Sequence, residues 1–158
     1  MSLWPSHAVP LPEMHVRLAG SGEQVYHLMA RLEGARIMEQ DDASAVAEFS
    51  IVVGRFTFTT QERVWFDRAG QRLIFEQMRS PFFGVRRARE VFALSPLSDD
   101  ATLLKVTGTL YTDWGLLGWA VTRFLVRPVW ARVEARHLRQ FQTHCQELFG
   151  HGEQPVVG

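Results

Sequence analysis

The sequence predicts a single α+β domain in which an antiparallel sheet curves around one long C-terminal helix. Three observations carry that expectation. Residues 36–111 alternate apolar and polar side chains with a period of two, the mark of half-buried strands. Short turn-forming clusters divide this stretch, which favours a meander over parallel strands joined by helices. Residues 128–149 then change to a helical period with one apolar stripe. A sheet with one apolar face and a helix with one apolar stripe bury both by packing together.

Taken in order, residues 15–18 read as a first strand. Ser21, Gly22, Glu23 and Gln24 fit a capping box, in which the Ser hydroxyl accepts the Gln24 N–H and the Gln24 side chain reaches back. Val25, Leu28, Met29 and Leu32 follow at helical spacing, and Gly34 closes the short helical region. Strands are expected over 45–53, 56–66, 72–78, 87–94 and 103–111, about six to seven in all. Turns fall at Gly54-Arg55, 67–70 and 96–100, and residues 80–84 break the sheet. Gly108 reads as a bulge. In the clearest strand Phe58, Glu62, Val64 and Phe66 share a face, while Thr57, Thr59, Gln61 and Arg63 face water.

Residues 114–126 are very apolar and are expected to pack into the core or to form a lid opened by Gly115 and Gly118. Pro128 kinks or restarts the helix, because it has no N–H to donate. At about 100° per residue, Trp130, Val133, His137, Phe141, His144 and Leu148 fall on one stripe, with Arg132, Arg136, Arg139 and Thr143 opposite.

Composition narrows the function classes. A chain of 158 residues makes one domain, expected over 14–150, with a flexible arm over 1–13 carrying Pro5, Pro10 and Pro12, and a flexible tail over 151–158. Lys+Arg and Asp+Glu both number 17, which argues against nucleic acid as a partner. Cys145 is the only cysteine, so no internal disulfide forms, and no Cys/His cluster has zinc spacing. The N-terminus lacks the basic and apolar regions of a signal peptide, and no apolar run reaches the about 20 residues a membrane span needs. A cytoplasmic location is expected. Nucleophile motifs and phosphate-binding glycine loops are missing, so no cofactor is implied.

The order of strand, short helices, strands and long C-terminal helix resembles the START-like, polyketide cyclase/dehydrase (SRPBCC) superfamily, whose fold is the helix-grip fold. The likeness covers about residues 14–149. It is most specific in Glu62-Arg63-Val64, in Arg72-Leu73-Ile74-Phe75-Glu76-Gln77 leading to Ser80-Pro81-Phe82, and in Gly115-Leu116-Leu117-Gly118 before Arg136-His137. It resembles a bacterial subgroup whose members often carry a Trp and paired His before a strand-ending Phe. Here that stretch is Val85-Arg86-Arg87-Ala88-Arg89-Glu90, so no role of those histidines carries over. The resemblance implies a cavity between sheet and helix, used by relatives for lipids, quinones, sterols or polyketides, and by some for cyclisation or dehydration.

Within such a cavity the ligand wall is expected from Phe58, Phe75, Phe92, Val106, Val133 and Phe141, with Glu62 and His137 orienting the ligand. Glu62, Glu90 and His137 are the catalytic candidates. A carboxylate on an apolar strand face would be held protonated and suit general acid work. Glu134 and His137 have an E-x-x-H spacing, but no second such motif accompanies it, so no metal is expected. Two other readings stay open. One is a cyclase- or dehydratase-type enzyme. The other is an interaction module whose apolar 114–126 segment meets a partner, a second copy in a homodimer, or a membrane surface.

Overall fold

A computed structural model describes residues 7–79 and 85–150. Its elements are β1 (His7–Pro10), β2 (Met14–Ala19), α1 (Gly22–Ala30), β3 (Arg36–Gln40), β4 (Ser44–Val53), β5 (Phe56–Asp67), β6 (Arg72–Arg79), β7 (Val85–Ser98), β8 (Ala101–Thr112), α2 (Gly115–Val121), a π-helical turn (Thr122–Val126) and α3 (Arg127–Phe149). The eight strands form one antiparallel sheet in the order β1-β8-β7-β6-β5-β4-β3, with β2 also paired to β8. β1 and β2 share the length of β8 between them, β1 against Thr109–Thr112 and β2 against Ala101–Val106. The sheet is curved but not closed. Register irregularities in β3, β5/β6 and β7 supply bends of the kind that curl a sheet around a helix.

The expected α+β arrangement is present, and the capping box at Ser21 is formed in both directions. Several local expectations are corrected. His7–Pro10 is not a loose arm but a strand, because Val9 is fully buried and the Thr112 hydroxyl donates to the His7 carbonyl. The rest of the expected arm before His7, the break at 80–84 and the tail over 151–158 lie outside the described residues. β1 and β3 raise the strand number to eight among the described residues. β7 runs through Pro96 to Ser98 instead of turning there. β6 reaches only Ala93 along β7, so Pro96 lies on a free edge, where its missing N–H costs no ladder bond.

Gly108 is no bulge: it pairs in register with Glu90. A Cβ there would come within 2.7 Å of Leu11 Cδ1 and 3.0 Å of Glu90 Cγ, so the glycine makes room for a buried glutamate. An irregularity between Val85 and Arg87 turns Arg86 to the same exposed side as Arg87, whose guanidinium lies 4.5 Å from the Tyr111 ring centre.

The C-terminal helix is continuous from Gly115 to Phe149 but changes pitch. The Arg127 N–H reaches back to the Thr122 carbonyl, a π turn immediately before Pro128. Pro128 occupies the first turn of α3, where the wider spacing absorbs its ring. The expected core packing of 114–126 is corrected: Leu116, Leu117, Phe124 and Leu125 are each at least 65% exposed, and what packs inward is Gly115, Gly118, Thr122 and Val126. Along α3 the deepest residues are Trp130, Leu138 and Cys145, while Leu148 is exposed. The packed face is therefore turned by about 70° from the expected stripe. The main core, built on Leu18, Val25, Val64, Leu73, Leu104 and Leu138, grips that face.

Candidate functional site

The face that the stripe does present borders a cavity of about 310 Å³ between the sheet, α1 and α3. Helix α1 contributes Leu28 and Met29, held against the sheet by the capped first turn. The sheet contributes Phe49, Thr60, Glu62, Phe75, Glu90 and Phe92. Helix α3 contributes Trp130, Val133, Glu134, His137, Phe141 and His144. The aromatic wall is contiguous: Phe75 meets Phe49 edge-on at 6.0 Å between ring centres and Phe92 at 4.9 Å. Exposed Glu33, Ser50 and His137 mark the opening.

Strand register brings the polar groups together. Glu62 faces inward on β5, between Ala47 of β4 and Gln77 of β6. Phe75 stands between Val64 and Glu90, and Glu90 stands between Phe75 and Gly108. Glu90 is 7% exposed, and its Oε1 accepts a 2.8 Å hydrogen bond from Trp130 Nε1 on α3. One helical turn beyond Trp130, Glu134 reaches the same place and is hydrogen-bonded to Glu90.

The electrostatics follow from that geometry. Burial raises the Glu62 carboxyl to about 7, with the charge of Glu134 adding to the effect. Glu90 is driven well above the ordinary carboxylate range by burial, then by the charges of Glu134 and Glu62. Burial likewise raises Glu134, while the hydrogen bond from Glu90 opposes the shift. Glu90 and Glu134 therefore titrate as a pair, both held above the ordinary carboxylate range by burial. Burial, then the charge of Arg136, lowers the His137 pKa, so the imidazole is neutral at pH 7. His144 Nε2 lies 3.4 Å from Glu33 Oε2 near the opening.

Of the residues expected from sequence, Glu62, Phe75, Glu90, Phe92, Val133, His137 and Phe141 border this cavity. Phe58 and Val106 do not. Phe58 lies beyond Thr60 towards the β4–β5 turn, where its ring is 6.4 Å from Phe56. Val106 is sealed beneath the cavity between Met14 and Phe92. Glu134 stands at the edge of the expected stripe, where periodicity assigns it no part in the site. The signal for it is its position four residues after Trp130 and four before Leu138, a carboxylate inside an apolar i, i+4 row. Thr60 and Gln77, each 1% exposed with side-chain polar atoms lacking a hydrogen-bond partner, carry no sequence signal. Among the described residues, no group of three or more His, Cys, Asp or Glu is arranged to hold a metal ion.

No family model and no curated protein matches the sequence. Solved structures do match. An aromatase/cyclase, Zhui from Streptomyces sp. R1128, superposes with a TM-score of 0.72 at 17% identity, over 96% of this chain and 99% of that one. A START superfamily protein from Mycobacterium smegmatis gives 0.66 at 15% identity, over 90% and 99%. The protein TTHA0849 from Thermus thermophilus gives 0.69 at 16% identity, over 89% and 99%. At these identities the likeness establishes architecture alone: the chain shares the helix-grip fold of these structures, a curved antiparallel sheet gripping a long C-terminal helix.

Proposed function

We propose that this protein binds an apolar small molecule, lipid-, quinone- or polyketide-like, in the cavity between the sheet and α3. The observation that carries the proposal is the cavity: about 310 Å³, walled by Phe49, Phe75, Phe92, Val133 and Phe141, with its polar groups gathered at Glu62, Glu90 and Glu134. Apolar burial supplies affinity, at about 25 cal/mol per Å² before the cost of ordering the complex. Glu62 and His137 supply orientation. The architectural likeness to an aromatase/cyclase and a START protein supports the same reading.

N-phenyl-1-naphthylamine, an apolar fluorophore, tests it. Its fluorescence should rise on binding at one site and fall in Val133→Trp, which fills the cavity, but not in Leu116→Ser/Leu117→Ser, which alters only the exposed face of α2. The opposite pattern would move the binding site to α2 and end the cavity reading. His137→Ala should remain folded and bind more weakly; unchanged affinity would remove His137 from the site.

A second reading is favoured by the carboxylates: a cyclase- or dehydratase-type enzyme. Glu90 and Glu134 titrate as a coupled pair raised by burial, which would let one donate and the other accept a proton. In a dehydration, a base in the pair would take the proton α to a carbonyl. An acid would protonate the departing hydroxyl, and water would leave. Glu62 on the sheet wall and His137 on the α3 wall border the same cavity and would position the carbonyl.

A further inference from the structure

We infer that the ligand of this cavity is a cation: an apolar or aromatic molecule carrying a protonated amine or an equivalent positive charge, seated against Glu62, Glu90 and Glu134. The inference rests on the cavity being the binding site and adds the charge of its occupant.

Three observations converge on it. First, the carboxyls come from three separate elements, Glu62 on β5, Glu90 on β7 and Glu134 on α3, and line the same cavity, close enough for each to feel another's charge. No Arg or Lys is among the described residues that line it. The other titratable side chains facing the space are His137 and His144 of α3 and Glu33 after α1; Arg136, next to His137, is outside the lining and donates at 2.6 Å to the Val52 carbonyl of β4. Buried carboxylates are ordinarily matched by a basic side chain, a metal or a ligand charge. Here the described lining supplies no Arg or Lys to match them.

Second, a neutral polar side chain near Glu62 on β5 is left without a partner. The Thr60 hydroxyl, on the cavity wall, is 1% exposed and has no hydrogen-bond partner among the described residues. A buried hydroxyl without a partner is costly, so a ligand head group that reaches it is favoured. Third, aromatic rings stand among the apolar walls. Phe75, Phe92, Phe141 and Trp130 border the space, and an aromatic face attracts a cation and repels an anion.

A neutral ligand would meet these carboxyls in their protonated form. A cation instead displaces the protons and pairs with the carboxylates. Binding a cation therefore releases protons near neutral pH, and affinity for it grows as pH rises.

The experiment compares three near-isosteric probes by titration calorimetry on the full chain: 2-(1-naphthyl)ethylamine, 2-(1-naphthyl)ethanol and 1-naphthylacetate. At about pH 8.5 the amine should bind at least about tenfold more tightly than the alcohol, and the acetate weakest. The preference should shrink at about pH 5.5, where the carboxyls hold their protons while the amine keeps its charge. Repeating the amine titration at about pH 7 in buffers of different ionisation enthalpy should show proton release. Glu62→Gln/Glu134→Gln should abolish the preference but still bind the alcohol; if that variant does not fold, the proton count on the unaltered chain decides.

An alcohol that binds as tightly as the amine at about pH 8.5 would overturn the charge inference and leave the cavity reading standing. An amine preference that survives the double substitution would overturn it too, by placing the charge elsewhere. Failure of all three probes to bind would take down the cavity reading and this inference together.

Discussion

Glu62 places a carboxyl between Ala47 and Gln77 on the inner face of the sheet, and the fold bears the cost. Its pKa rises from 4.5 to about 7 on folding. Below pH 4.5 both folded and unfolded chains hold the proton. As pH climbs towards 7 the unfolded chain ionises while the folded one does not, so this residue's contribution favours unfolding increasingly and then levels off. Glu62→Gln is therefore expected to raise stability at about pH 8 by up to roughly 3 kcal/mol, the advantage vanishing below about pH 4.5. Urea unfolding of both chains across that range checks it; an advantage independent of pH would mean that Glu62 is not held protonated. Trp130→Phe removes the donor to a buried carboxyl and should cost about 1–3 kcal/mol, measured the same way. Both residues show how the site departs from core design. An apolar strand face carrying glutamate is visible in the sequence, but that Glu62, Glu90 and Glu134 meet is not.

Among the elements, the C-terminal helix divides into parts with different tasks. α3 carries one wall of the cavity and one face of the core. α2 is anchored through small residues, since a Cβ at Gly118 would collide with the Asp113 carbonyl, and it leaves its leucines in water. Gly118→Ala should destabilise the protein by about 2–3 kcal/mol. Leu116→Ser, at 77% exposure, should change stability by less than about 0.5 kcal/mol. Urea midpoints distinguish the two, and a large loss in Leu116→Ser would show that α2 is packed after all. Hydrophobic content alone suggests burial here. Exposure depends on where the entry turn, with Trp114 and Gly115 both at positive φ, aims the helix.

The whole molecule trades packing for space. Its core lies to one side of α3, built from fully buried Leu18, Val64 and Leu73, while the other side borders a cavity rather than more side chains. Large-to-small substitutions should report this asymmetry. Leu18→Ala, in the close-packed part, should cost about 2–5 kcal/mol, whereas Val133→Ala on the cavity wall should cost less than about 1 kcal/mol. Equal losses in urea unfolding would mean that the cavity is filled in solution.

The architecture follows from the patterning of the chain: period-two strands separated by turns, a capped short helix, and a long helix with an apolar stripe have one economical packing. The same patterning names most of the inward residues, because alternation along a strand fixes which side chains share a face. Where α3 sits over that face is set by packing in three dimensions, since helical periodicity leaves the rotation of the helix undetermined to within a broad stripe. That rotation of about 70° moves Leu138 and Cys145 into the core, leaves His137 at the rim, and carries Glu134 to Glu90. The carboxylate cluster exists because three strand and helix registers coincide, and no single segment of the chain contains that coincidence.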